Sequence, residues 1–454
     1  MKTGIRKTGD IWLSIVKAML FIVVLGVFFI GQIIFYTETL FFFWGNNILI
    51  LLYAANLYFT SRLYNSFDFG NIAIQDVILS WILCLIVSNG LQYLILCLIE
   101  SMMLPVAGLL IVSAVQLVLI IPLSLVIDKI YYRLNPASKA IIIYGREGKA
   151  GEYSRIIGKH SKRFDIQQTI SQNEPRETLM ESISGTETVF FLNVDGAIRE
   201  RLLEYCYQLN KQTYITPTFS GVLINTAAIS WISNTPIFLP KRPEPDMGTR
   251  ILKRGMDIII SLLGIVLLSW LMLIVWIVTR LYDKSPAVYR QVRVTKGGKR
   301  FTLYKFRSMR PDAEDDGLPR LTSKGDDRIT PFGRFIRSTR IDELPQLFNV
   351  FSGAMSLVGP RPERPEIARQ YEEIYPNFPF RTKVKAGMTG LAQVYGRYDT
   401  APDEKLFLDV IYIETLSIWQ DIKLLLQTIK VIVKPSGTEG VPDGATTAIR
   451  NEEE

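Results

Sequence analysis

Histidine occurs once in this 454-residue chain, at His160, and cysteine three times, at Cys84, Cys97 and Cys206. A single histidine excludes a histidine-based metal centre and any histidine-dependent triad. Three scattered thiols give neither a disulfide framework nor metal-ligand spacing. Chemistry here must run on carboxylates, basic residues and, where one is needed, a divalent ion. Charge is missing too, but only locally. Ala18–Tyr36, Phe41–Phe59, Val77–Leu98 and Met102–Ile127 contain no charged residue. Each run is about the 20 residues that cross a ~30 Å hydrocarbon core as a helix. None shows the polar stripe of a soluble core helix, so four membrane spans are expected. The first run is too long for a removable signal peptide and has no small-residue cleavage site.

Basic residues orient these spans. Lys2, Arg6, Lys7 and Lys17 precede the first, Arg62 lies between the second and third, and Lys129, Arg133 and Lys139 follow the fourth. The other two connections carry Glu38 and Glu100 instead. Both ends of residues 1–135 are therefore expected in the cytoplasm.

Beyond Asn135-Pro136 the texture changes. Ala140–Tyr144 and Thr188–Val194 read as buried strands, Ile198–Leu209 as a helix, and Tyr214–Thr216 as a further strand. Alternation of this kind predicts a small parallel-sheet domain over 136–240, a degenerate Rossmann-like α/β unit. Gly145, Gly148 and Gly151 superficially resemble a dinucleotide turn. No acidic residue follows a second strand to hold a ribose, so a structural or regulatory role is the stronger reading. Lys241–Pro245 reads as an extended linker.

A fifth apolar run, Ile258–Val278, is flanked by Lys253 and Arg254 before it and by a basic cluster from Arg280 to Arg307 after it. A full crossing would place that cluster outside, against the positive-inside rule. A helix near 251–282 that enters the membrane and returns is expected instead, with Gly264 and Ser269 as candidate break positions.

The chemistry concentrates downstream. Val288–Val294 and Arg300–Ser308 read as a hairpin whose second strand places Lys305 and Arg307 on one face, an arrangement suited to a diphosphate or simply to solvent. Asp342 reads as the N-cap of a helix with an apolar face of Leu344, Leu347, Phe348 and Phe351, and with Gly353 as C-cap. Asp342 and Glu343 together suit Mg²⁺ coordination and attack on phosphorus. The plain alternative is a cap followed by a first-turn glutamate. Arg361 stands between two prolines, a stiff presentation suited to phosphate, although an ordinary turn has the same form. Ala386–Gln393 with Gly396-Arg397 makes a glycine-rich loop with polar ends. Ile418–Val433 repeats apolar residues at helical spacing, fitting either the membrane interface or the protein's own core. Residues 436–454 read as a disordered tail.

Taken together, ordered blocks between Lys253 and Lys434 resemble the bacterial sugar transferases known as polyprenyl-phosphate hexose-1-phosphate transferases. The blocks are Lys253-Arg-Gly-Met-Asp257, Tyr289-Arg-Gln-Val-Arg293, Lys305-Phe-Arg-Ser-Met309, Asp342-Glu-Leu-Pro-Gln-Leu-Phe-Asn349, Met355-Ser-Leu-Val-Gly-Pro-Arg-Pro362, Thr389-Gly-Leu-Ala-Gln-Val394 and Leu408-Asp-Val-Ile-Tyr412. One departure stands out: the family breaks its re-entrant helix at Ser-Pro, and this chain has Ser269-Trp270.

The resemblance implies a membrane helical bundle of four spans, the Rossmann-like domain, and an α+β catalytic domain over 241–435 with a re-entrant helix. It implies transfer of hexose-1-phosphate from a UDP-sugar to undecaprenyl phosphate with release of UMP. That would be the first membrane step of capsule or exopolysaccharide repeat-unit synthesis, at the cytoplasmic membrane. Asp342 would be the nucleophile, forming a phosphoglycosyl-aspartate, with Glu343 assisting and Mg²⁺ held by both. Lys305, Arg307, Arg337, Arg361, Gln393, Arg397 and Asp409 would bind the substrates. Membrane lipids are expected partners and nucleic acid is not. A homodimer rests only on family habit and the frequency of two-fold oligomers. The rival reading is a non-catalytic membrane scaffold or nucleotide sensor. An enzyme moving the sugar alone, and so releasing UDP, is the third.

Overall fold

The computed structural model describes residues 2–36, 45–145, 151, 154, 157–158, 162–240, 244–283, 286–310, 326, 328–396 and 402–433. Gly148, His160, Lys241, Arg397 and the tail from residue 436 lie outside them. The chain divides into two units, Met1–Thr216 and Pro217–Glu454.

The first unit begins with helices α1 (Lys2–Phe35), α2 (Gly45–Leu63), α3 (Ile74–Glu100) and α4 (Val106–Leu134). Among the described residues, α1 over Ile11–Phe35, α3 and α4 are long and apolar enough to cross a bilayer. The second expected run, Phe41–Phe59, begins outside the described residues, which resume at Gly45. Helix α2 carries Asn46, Asn47, Asn56 and Arg62 and does not reach that apolarity. Inside the bundle, Asn56 Nδ2 donates to the Ser88 carbonyl (3.1 Å). Tyr53 Oη donates to Asn89 Oδ1 (2.6 Å), Asn89 Nδ2 to Gln116 Oε1 (2.8 Å), and Gln116 Nε2 to the Val24 carbonyl (3.0 Å). One uncharged network thus ties all four helices, because a polar group in an apolar interior must find a partner.

Strands β1 (Ser138–Tyr144), β2 (Phe164–Ser171), β3 (Thr188–Leu192) and β4 (Gln212–Ile215) form a parallel sheet in the order β2-β1-β3-β4. The two central strands are almost wholly apolar because helices cover them. Leu179 and Ile183 of α5 (Arg176–Ser184) and Leu202 and Cys206 of α6 (Gly196–Gln208) pack on Ile141, Ile143, Val189 and Phe191. At the carboxyl ends of the strands, Asp195 N donates to Gln172 Oε1 (2.8 Å) and Gln172 Nε2 to Asp195 Oδ2 (2.7 Å). The Gln172 amide is thus satisfied by the backbone and the carboxylate of Asp195.

The second unit starts before the expected boundary at 240. Helix α7 (Phe219–Asn225) buries Val222 against Ile367, Tyr371, Phe378, Leu406 and Val410. A hairpin of β5 (Ala228–Ile232) and β6 (Thr235–Leu239) follows. Then comes α8 (Met247–Asp283), an unbroken 37-residue helix that is also long and apolar enough to cross a bilayer. The breaks expected at Gly264 and Ser269 are not there. Gly264 instead lets the helix pass close to Leu347, whose Cδ1 would lie 3.1 Å from an added Cβ.

Antiparallel β7 (Val288–Val294) and β8 (Arg300–Phe306) pair over their full length, as the pattern predicts. The remaining elements are α9 (Pro331–Ser338), α10 (Gln346–Ser352), β9 (Ser356–Val358), α11 (Pro365–Ile374), β10 (Gly387–Thr389), α12 (Leu391–Tyr395), α13 (Pro402–Glu414) and α14 (Ile418–Val433). Leu303, Leu347, Val350, Val358, Tyr412 and Leu424 meet in their shared core. Helix α14 therefore packs on the protein with Leu424, yet leaves Trp419, Ile429, Ile432 and Val433 exposed.

Candidate active site

Asp342 is not a helix N-cap. It lies with Ile341 and Glu343 in a single 3-10 turn, followed by Leu344 and by Pro345 as the N-cap of α10. The turn starts from Arg340 in the left-handed region (φ 56°). This places both acidic side chains inside the domain, Asp342 at 8% and Glu343 at 7% exposure. On α10, Leu347 and Val350 are buried with Gln346 and Asn349, whereas Phe348 and Phe351, expected on the inner face, are exposed. Asn349 is inside because its amide bridges two backbone groups of β8, accepting from Tyr304 N (3.0 Å) and donating to Thr302 O (2.8 Å). Gly353 ends α10 in the left-handed conformation, as expected of a C-cap.

Cations converge on Glu343 from three elements. Lys305 Nζ, from β8, lies 3.2 Å from Oε1; Arg361 Nη2, beyond β9, lies 3.0 Å from the same oxygen; Arg340 Nη1 lies 3.7 Å from Oε2. Burial opposes charge on Glu343, but Lys305, Arg361 and Arg340 outweigh it and hold its carboxyl well below the usual range. Asp342 goes the other way. Burial, with the neighbouring Glu343 charge, pushes its carboxyl up to about 6 against the pull of Lys305, Arg337 and Arg361. Adjacent carboxyls driven apart in this way take different roles. Glu343 stays ionised and gathers cations, and Asp342 is the more basic oxygen, suited to attack.

Of the residues expected here, Lys305 and Arg361 contact Glu343, and the charge of Arg337, on α9, acts on Asp342. Arg307 does not join them. It follows the end of β8, donates to the Pro286 carbonyl (3.0 Å) and lies over the Tyr289 ring. Gln393, on α12, has both side-chain amide atoms buried without a hydrogen-bond partner among the described residues. Asp409, on α13, is fully buried and pairs with Arg381 (2.8 Å). Arg397 is outside the described residues. Sequence reasoning missed Arg340 and Arg381. Arg340 is adjacent to the expected site in sequence, whereas Arg381 carries no local signal.

A model described as bacterial sugar transferase matches residues 248–435. The undecaprenyl-phosphate galactose phosphotransferase of Salmonella typhimurium is 32% identical over 333 residues, covering 66% of this chain and 69% of that protein. The chain belongs to the bacterial sugar transferase family. It is a transferase, an enzyme. A UDP-N-acetylgalactosamine-undecaprenyl-phosphate N-acetylgalactosaminephosphotransferase of Aeromonas hydrophila is 40% identical over 189 residues, covering 41% of this chain and 44% of that protein. A UDP-glucose:undecaprenyl-phosphate glucose-1-phosphate transferase of Klebsiella pneumoniae is 39% identical over 218 residues, covering 47% and 46% respectively. The transferase thus spans less than half the length of these last two relatives.

A second buried cluster fastens α8 to the transferase domain. Lys253 Nζ donates to the Val358 carbonyl (2.9 Å) and to Tyr412 Oη (3.1 Å), and pairs with Asp421. Asp257 Oδ1 accepts from Ser356 Oγ (3.1 Å) and Leu357 N (2.9 Å). Toward the other end, Met272 and Val275 are buried with Phe306 and Ile336.

Proposed function

We propose that this transferase moves a hexose-1-phosphate from a UDP-sugar onto undecaprenyl phosphate and releases UMP. The observation that carries this reading is the buried Asp342–Glu343 turn. One carboxyl is held ionised by Lys305, Arg361 and Arg340, and the other is left as the stronger base. The names of the relatives supply the substrate classes.

In the first step, an Asp342 carboxylate oxygen attacks the phosphorus that bears the sugar. The bond to the bridging oxygen breaks and UMP departs with that electron pair, leaving a phosphoglycosyl-aspartate. In the second, a phosphate oxygen of the polyprenyl phosphate attacks the same phosphorus. The aspartyl oxygen–phosphorus bond breaks, a lipid diphosphate-sugar forms, and the Asp342 carboxylate returns. Lys305, Arg361 and Arg337 offset the charge that develops on the phosphoryl oxygens. The two carboxylates fit Mg²⁺, which characteristically takes one or two carboxylates and completes its shell with substrate phosphates and water. Among the described residues there is no cluster of three acidic ligands. Asp342 and Glu343 would hold the ion, which when bound neutralises diphosphate charge.

The same proposal places the enzyme in the cytoplasmic membrane with this site on the cytoplasmic side. Helix α8 exposes Ile259, Leu263, Val266, Leu267, Trp270 and Leu273, a face suited to lipid. Its early residues Lys253 and Asp257 and its later residues Met272 and Val275 pack on one globular domain. That supports a helix dipping into one leaflet. The basic residues after it, Arg280 to Arg307, then stay on the side preferred by positive charge.

The test is UMP release from purified protein given undecaprenyl phosphate, Mg²⁺ and, in turn, UDP-glucose, UDP-galactose and their N-acetylated counterparts. UMP from one donor, lost on chelation, is the expected result. UDP release would show that the wrong bond had been assigned.

A further inference from the structure

Arg361 is held from behind as well as from in front. Four successive carbonyls around it each accept a hydrogen bond from a different donor. Gly387 N donates to Pro360 O (2.9 Å). Arg381 Nη2 donates to Arg361 O (2.8 Å), Arg293 Nη1 to Pro362 O (3.1 Å), and Val294 N to Glu363 O (3.1 Å). The Glu363 carboxylate sits between the two arginines, 3.5 Å from Arg381 and 3.8 Å from Arg293. The backbone of this segment is therefore fixed by β7, by β10 and by Arg381.

Arg381 is itself nearly buried, at 7% exposure, and a buried guanidinium needs a partner. Asp409 supplies it. Its carboxylate, 0% exposed, lies 2.8 Å from the Arg381 nitrogen that also holds the Arg361 carbonyl. The family resemblance places Asp409 among the substrate-binding residues, but its contacts lead to the backbone of Arg361. Resting on the proposed function, we infer that Asp409 is a positioning residue: acting through Arg381, it fixes the Arg361 carbonyl and so aims the Arg361 guanidinium at Glu343 and the transferred phosphate. Keeping an ionised group there is unfavourable, since burial pushes the Asp409 carboxyl up to about 6, with Glu363 adding and Arg381 and Lys405 opposing. Such a group is expected where its position is needed.

Asp409→Asn preserves shape and removes the charge. In full-length protein assayed for UMP release, we expect kcat to fall about tenfold to a hundredfold with donor KM little changed, the effect of a displaced catalytic cation. In an Arg361→Ala background the same substitution should add less than about a twofold loss, because both changes remove one interaction. Hydrogen exchange gives a readout independent of activity: amides of residues 359–364 should exchange faster while those of β8 do not. Equal losses in both backgrounds, or unchanged exchange at 359–364, would overturn the inference. If Asp409→Asn does not fold, Asp409→Asn with Arg381→Gln leaves no lone buried charge, and wild-type turnover in that double variant would overturn it as well. If the wild-type protein releases no UMP from any donor, the proposed function fails, and the exchange comparison alone decides the role of Asp409.

Discussion

The helix bundle and the unit from Pro217 onward differ in the polar groups that they bury. In the helix bundle the buried groups are neutral, with Tyr53, Asn89 and Gln116 sharing hydrogen bonds across four helices. In the unit from Pro217 onward ions join neutral groups such as Gln346 and Asn349: Asp257, Asp342, Glu343, Arg381, Asp409 and Asp421 are all buried. Neutral pairs satisfy one another with little desolvation loss, so they serve packing. Ions taken from water cost several kcal/mol each, recovered only by well-placed partners. Under the proposed function the contrast has a purpose: the buried ions Glu343, Arg381 and Asp409 hold the side chain and backbone of Arg361 beside Asp342.

The contrast breaks first at Asp342. Asp342→Asn should lower UMP release by at least roughly 10³-fold, the scale for losing a nucleophile. It should also raise the unfolding midpoint. The folded-state pKa lies above the ordinary 3.8, at about 6, so the folded state holds the extra proton between these values. Stability therefore falls as pH rises through that window, and the neutral amide escapes the loss. In the wild type, turnover should fall as pH drops below about 6, when the nucleophile is protonated, and a pH–rate profile checks this. Next comes Lys305→Met, which removes one of the cations on Glu343. A loss of about 10²–10³-fold in kcat/KM is expected, read by steady-state kinetics with the protein shown to be folded. A smaller effect on activity but a large one on stability is expected of Lys253→Met. It strands Asp421 and Tyr412 in the interior and should destabilise the domain by about 3–5 kcal/mol, measured by denaturant unfolding. The smallest effect belongs to the bundle. Tyr53→Phe removes two neutral hydrogen bonds, one given to Asn89 and one received from Gln116, at about 0.6 kcal/mol each, visible as a small shift in thermal stability with turnover intact. A large loss of turnover there would erase the contrast.

Sequence made visible what depends on local pattern. The hairpin of β7 and β8 matched its predicted strands, because period-two alternation around Thr295–Gly298 is a short-range signal. The buried strands β1 and β3 were legible as short unbroken apolar runs, which are a local signal too. β2 was not, since Phe164–Ser171 is an edge strand whose outward residues are polar and break any apolar run. The turn at Asp342 was located correctly but given the wrong form. Pro345 begins α10 after a 3-10 turn, a choice set by the burial of Asp342 and Glu343 rather than by capping preference. Lys305 and Arg361 could be named because they fall in recognisable blocks. Arg381 and the four-carbonyl clasp could not, because they join residues distant in the chain and leave no spacing to read.

The most direct test of the central claim is to give the purified enzyme its UDP-sugar without any lipid acceptor, quench it, and map the protein by mass spectrometry. A hexose-phosphate adduct on the peptide containing Asp342, formed together with one equivalent of UMP and discharged on adding undecaprenyl phosphate, is the predicted result. UMP formed only when the lipid is present, with Asp342 never modified, would contradict it.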